Sequence, residues 1–286
     1  MTEWVDWLRE PFELAFMQRA LVAGVLAAIT TAVVGTWVVL RGLTFMGDAL
    51  AHGVLPGLAL AFVVGFDLTL GAAMGSAVMI LGINVVHRRA RLAEDVGIGL
   101  LFVGMLALGV VIISRSGAFA NDLTAFLFGD VLGVEKADLW VQGAAAAVAV
   151  VGAVAFSRPF LVLSFNAEKA AILGLRPRLA HVVMLSLVAV AVVSSYRAVG
   201  TLLVFGLLVG PPSTAALLVR RVPAMMLTAA ALGIISVAAG LVVSYHFDTA
   251  AGATMAGMSV AIFFVVLTIQ ELRLRLTSGS PAATLG

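Results

Sequence analysis

Again and again along this chain, about twenty residues pass with hardly a charge among them. Such runs occur at 14–40, 44–66, 68–87, 96–114, 139–156, 179–196, 199–219, 223–243 and 252–270. A helix needs ~20 apolar residues to cross the hydrocarbon of a bilayer. Lipid offers no water to exposed backbone, so each run must close its own hydrogen bonds as a helix. The pattern predicts an all-α, polytopic integral membrane bundle of eight or nine transmembrane helices. The 199–219 run carries Pro211 and Pro212 and is expected to kink there. The stretch 122–134 is apolar but short, broken by Gly129 and Gly133, and reads as re-entrant or interfacial.

Composition fits only this solvent. Hydrophobic residues make up 62% of the 286 positions and charged residues 11%, against about a quarter charged in soluble domains. The 29 glycines suit helices that must approach closely in lipid. A net charge of +2, with the basic residues in short loops, gives no reason to expect nucleic acid as a partner. With no cysteine, disulfides, thiolate metal sites and cysteine catalysis are all excluded. Residues 1–13 are acidic and hold Trp4, Trp7 and Phe12, which predicts a short interfacial helix and not a cleavable signal peptide. No shift in composition marks a second domain, so residues 1–286 are read as one transmembrane domain. No GxxxxGK[ST] loop is present to cradle a nucleotide.

Orientation follows from lysine and arginine. Nine spans with the C-terminus inside leave Arg41, Arg88, Arg89, Arg91, Arg158, Lys169, Arg176, Arg178, Arg220, Arg221, Arg273 and Arg275 in the cytoplasm. Arg9, Arg19, Arg115, Lys136 and Arg197 fall outside. The expected arrangement is N-terminus outside, C-terminus and its tail (271–286) cytoplasmic, in the plasma (inner) membrane.

The second run carries the chemistry, in Met46-Gly-Asp-Ala-Leu-Ala-His-Gly-Val-Leu-Pro-Gly57. Asp48 and His52 are four residues apart, which stacks them on one helix face. An ionisable group in mid-membrane costs about 2.5–3.5 kcal/mol on insertion scales, so two on one face need a reason. They could pair with each other or with a neighbouring helix, relay protons, or ligate a divalent metal, since carboxylate and imidazole both suit Mn²⁺, Zn²⁺ or Fe²⁺. Pro56 cannot donate to the His52 carbonyl and is expected to kink the helix there. Gly53 and Gly57 give small-xxx-small spacing for a close neighbour.

GDALAHGVLPG resembles the second-span motif of the permease subunits of bacterial zinc/manganese/iron ABC importers, which usually reads S-D-A-L-S-H-A-V-L-P-G. Gly47 and Ala51 replace its two serines, and the acid and imidazole remain. RAVGTLLVFGLLVGPPSTAALL (197–218) is similar to a second block of that family. SYHFDTAAGATM (244–255) resembles a third, with Ala251 where proline is frequent.

The resemblance implies a metal permease and not an enzyme, with ATP hydrolysed on separate cytoplasmic subunits. It implies an extracellular metal-binding protein, a second permease copy, and no permanently bound cofactor, the divalent ion (Mn²⁺ or Zn²⁺, with iron a further candidate) being cargo. It also implies that Asp48 and His52 from two copies meet one ion across a two-fold axis. The loop 157–178 would be the coupling loop. Asn166–Leu175 reads as its short helix, with Glu168 in the first turn, Ala171 within and Gly174 at the end.

His246 and Asp248, before the last span, are candidates for metal entry or for contact with the binding protein. Asp67, Asp122 and Asp130 lie near the outer face. Glu94 and Asp95 would favour the dipole of the next helix. His87 and His181 read as interfacial histidines at cytoplasmic helix ends. A proton-coupled secondary metal transporter or channel is the competing class, but carriers of that kind often show inverted repeats and none is evident here. The HExxH and GxSxG motifs of intramembrane enzymes are missing.

Overall fold

A computed structural model describes residues 6–7, 9–89, 94–114, 133–165 and 172–278. Among the described residues every regular element is helical. A short 3₁₀ turn, Glu10–Glu13, leads into α1 (Ala15–Leu40), α2 (Thr44–Gly53), α3 (Leu55–Val64), α4 (Leu68–Arg89) and α5 (Glu94–Ser114). After 115–132 come α6 (Lys136–Ala155), α7 (Ser157–Phe165), α8 (Pro177–Leu218), α9 (Val222–Phe247) and α10 (Ala251–Ser278). Among the described residues eight segments are long and apolar enough to cross a membrane, and Leu203–Leu218 is a shorter apolar helix. The predicted re-entrant segment lies almost wholly outside the described residues.

The first helix is the centre of the bundle, with 72% of its most apolar window buried. Small residues explain how it packs on α6, α8 and α9. Ala20, Ala23, Ala27 and Ala28 are buried, and Gly24 lies against Val237 of α9. Its end is sharply fixed. Gly42 takes φ 67°, the Leu43 N–H bonds the Val38 carbonyl and the Gly42 N–H bonds that of Val39, each at 3.0 Å. These are the paired bonds of a Schellman cap, in which glycine supplies the left-handed residue. They turn the chain directly into α2.

The break expected at Pro211 and Pro212 lies instead at Gly200, whose φ 72° and ψ 161° are the only non-helical angles inside α8. Both prolines sit within the second arm on helical backbone. Contacts show how far the chain bends. His181 touches Arg41 just past the end of α1, and Leu208 packs on Gly35 of the same helix. A straight helix from His181 to Leu208 would span roughly 40 Å, yet both meet the same end of α1. The arms 177–199 and 201–218 therefore fold back on each other, and only glycine tolerates the required angles readily. Pro212 cannot donate to the Leu208 carbonyl. That carbonyl is turned onto Gly35, where a Cβ would overlap it. Here the prolines free a carbonyl for a helix contact without breaking the helix.

Helix α7 has no counterpart among the long apolar runs. It covers the first part of the 157–178 loop and is anchored by Phe160, which is fully buried, edge-on to Trp37 and stacked on Phe156.

Candidate metal passage

Asp48 and His52 share one face of α2. Their neighbours Met46, Gly47, Ala49, Leu50, Ala51 and Gly53 are all buried. The accessible stripe of the helix is Phe45, Asp48 and His52, with the acid 27% and the imidazole 22% exposed. The helix is short because it stops at Gly53, and Val54 separates it from α3, which carries Pro56 in its first turn. Pro56 has no N–H to return to His52.

Geometry separates the possible roles of this pair. His52 Nε2 lies 3.4 Å from Asp48 Oδ1, longer than the ~2.9 Å of a good N–H···O bond. Two ligand atoms each ~2.1 Å from one ion at a tetrahedral angle stand about 3.4 Å apart. The separation fits both a loose ion pair and the spacing of two ligands on one ion. Among the described residues, neither has a hydrogen bond or ion pair to another helix. His52 Nδ1 is buried without a partner. The imidazole is held by shape, edge-on to Phe102 of α5 at 5.5 Å, and Phe102 in turn meets Phe45 at 5.7 Å. Nothing in the sequence singles out Phe102, because only the fold brings α5 to α2. Among the described residues no group of three or more His, Cys, Asp or Glu gathers to hold an ion.

Close glycine packing sets the position of α3. A Cβ on Gly57 would overlap the Gly71 carbonyl oxygen and come within 2.7 Å of the Gly75 nitrogen. Gly53, one turn earlier, lies against Met79. Both glycines of the small-xxx-small pair thus face α4.

His246 and Asp248 lie elsewhere. They sit at the end of α9 in a cavity of about 600 Å³ shared with Phe16 and Met17, at the start of α1, whereas α2 begins at its far end. His246 stacks on Trp7 at 4.1 Å with an 8° interplanar angle. Its Nε2 donates to the Trp7 carbonyl at 3.0 Å, and Tyr245 meets it edge-on. Asp248 is the left-handed cap of α9, at φ 49°. Of the acids expected near the outer face, Asp67 accepts from the Leu70 N–H at 2.9 Å and caps α4. Asp122 and Asp130 are outside the described residues.

Glu168 and Ala171 of the expected coupling helix are likewise outside them, whereas residues 172–176 are within. Ile172 and Leu173 are 84% and 64% exposed, Gly174 takes φ 70°, and Arg176, at φ 45°, precedes Pro177 at the start of α8. Two large aliphatic side chains therefore face outward beside a stiff turn.

Comparison with known proteins agrees over nearly the whole length. The ABC 3 transport family matches residues 13–270. The manganese transport system membrane protein MntC of Listeria innocua is 36% identical over 253 residues, covering 88% of this chain and 90% of that one. The manganese import system permease protein ScaB of Streptococcus parasanguinis is 32% identical over 267 residues, 93% of each. Among solved structures, a chain of PsaBC from Streptococcus pneumoniae, in complex with a Fab, superposes with a TM-score of 0.83. It is 27% identical, over 95% of this chain and 99% of that one.

Proposed function

This chain belongs to the ABC 3 transport family, and on that premise we propose that it is the membrane permease of an ATP-driven importer of divalent metal ions. Manganese and zinc are the leading cargoes and iron a further one. The observation that carries the reading is the Asp48–His52 pair, open on one stripe of an otherwise buried helix. The manganese named for MntC and ScaB supports it.

The chain lies with its N-terminus outside and its C-terminus in the cytoplasm, as the distribution of Lys and Arg favours. One copy offers one carboxylate and one imidazole. A second copy related by a two-fold axis would offer the same pair, giving the N₂O₂ set that fits tetrahedral coordination or part of an octahedron. The ion arrives from an extracellular binding protein, is held between Asp48 and His52 of both copies, and leaves when ATPase closure on the cytoplasmic side changes access. His246 and Asp248 belong to the outer mouth, where the binding protein docks. Glu168, Ala171 and Gly174 belong to the segment on which the ATPase docks, and the exposed Ile172 and Leu173 support that assignment.

The test is Mn²⁺ and Zn²⁺ uptake, alone and in competition, by cells or proteoliposomes carrying Asp48→Ala or His52→Ala. Each substitution is expected to lower uptake by at least tenfold while the protein still reaches the membrane. Uptake near the wild-type rate in both would remove the site.

A further inference from the structure

The contact of Arg41 with His181 serves neither the Asp48–His52 pair nor a helix cap. Arg41 Nη1 lies 3.0 Å from His181 Nδ1, with Met184 Sδ at 3.9 Å. Arginine can only donate, so Nδ1 accepts and the ring is the tautomer protonated on Nε2. His181 is buried, 7% exposed. A charged donor held on a buried acceptor is stronger than a neutral pair and directional.

The two ends of this bond are anchored in different segments. His181 is in the second turn of α8. The chain reaches it from the exposed Ile172 and Leu173 through Gly174 and Arg176, both left-handed, and through Pro177. That link is short and conformationally stiff, because proline fixes its own φ and restricts the residue before it. At the other end, Arg41 is the C-cap of α1 and the first residue of the turn closed by the Gly42 and Leu43 bonds. The turn leads without slack into α2, on which Asp48 and His52 sit. The static seat of α2 on α8 is a separate contact, Gly47 against Leu208 of the second arm.

We propose that the Arg41–His181 bond is the positioning element that passes movement of the cytoplasmic segment before α8 to the metal-binding helix. A displacement of the first turns of α8 pulls the guanidinium, the guanidinium carries the closed turn, and the turn tilts α2, changing how Asp48 and His52 face the ion. The inference rests on the importer reading above. It adds two residues that neither bind the ion nor dock the ATPase.

The test uses the complete transporter, permease with its ATPase and binding protein, in proteoliposomes, measuring Mn²⁺ uptake and ATP hydrolysis together. Arg41→Ala and His181→Leu are each expected to lower the ions moved per ATP about tenfold, the order expected for losing a bond to a charged group. ATP hydrolysis should stay within about twofold of wild type. The double variant should be no worse than either single one, as coupled residues require. His181→Gln, whose amide oxygen can accept from the guanidinium, should restore most of the ratio. An unchanged ratio in the single variants, losses that multiply in the double, or hydrolysis and uptake falling in proportion would each overturn the proposal. No metal uptake by the wild-type complex would instead sink the importer reading itself.

Discussion

Gly57→Ala should damage this protein more than any other single methyl added to α3. The new Cβ would overlap the Gly71 carbonyl oxygen and stand 2.7 Å from the Gly75 nitrogen. Carbon atoms rest at about 3.5–4.0 Å from their neighbours, so the two helices must part by roughly 1 Å. Both obstacles are backbone, and no rotamer change can move them. Adding a methylene to a packed interior costs about 1–3 kcal/mol, and rigid neighbours place this case at the upper end. A gap of 0.5–1 Å also forfeits a quarter to a half of each dispersion contact along the α3–α4 seam. A loss of about 3 kcal/mol lowers Tm by roughly 6–12 °C in a domain of 150–250 residues.

The assay is thermal unfolding of the detergent-purified permease, with Gly104→Ala as the control. Gly104 is also in a helix, but a Cβ there meets nothing within 4 Å. Alanine at that site should be neutral or gain up to about 1 kcal/mol of helix propensity. On the importer reading, Gly57→Ala should also weaken metal uptake, because α3 begins directly after the break that ends α2. A Tm for Gly57→Ala within about 2 °C of wild type, the shift that ~1 kcal/mol produces at this size, would refute the close-packing argument. So would an equal fall for Gly104→Ala.

Two further substitutions probe the backbone. Gly200→Ala places a Cβ on φ 72° and ψ 161°, where strain of about 1–3 kcal/mol is expected; it should lower Tm and the yield of folded protein, and normal yield at the wild-type Tm would mean the arms of α8 do not reverse there. Asp248→Gly relieves a left-handed non-glycine cap at φ 49° and should stabilise by ~0.5–1 kcal/mol, read as a higher Tm. Loss of metal uptake in a stabilised Asp248→Gly protein would show that the acid has a task beyond the cap.

Much of the fold was legible because the lipid code is simple. A run such as 15–40, with Arg19 its single charge, has no alternative to a spanning helix. The Asp48–His52 pair was legible for the same reason, since charge in such surroundings is conspicuous. The features that escaped depend on distant partners. Pro211 and Pro212 look like a break, yet they are accommodated because Gly35 of α1 leaves room for the freed Leu208 carbonyl. Gly200, among many glycines, gives no local sign that its neighbours reverse direction. Phe102 and His181 acquire their roles only when α5 meets α2 and α8 meets α1. The stacking of Trp7 on His246 joins residues from opposite ends of the chain, beyond the reach of any periodicity.

The division of the second span into α2 and α3 bears directly on how an ion site in lipid could change state. A continuous span would fix the ligands to everything above and below them. Here α3 is fastened to α4 through Gly57, Gly71 and Gly75, contacts of backbone on backbone that leave no play. Helix α2 packs on α8 through Gly47 below Leu208, and the turn that precedes it is tied to α8 by Arg41 on His181. Between the two lies Val54, followed by a proline that withholds the hydrogen bond which would have joined them. On the importer reading, the missing bond lets the first turns of α2 tilt with α8 about its last residue, Gly53, which like α3 stays packed on α4. The ligands then move relative to the outer half of their own span, which is the motion needed to release an ion to one side only.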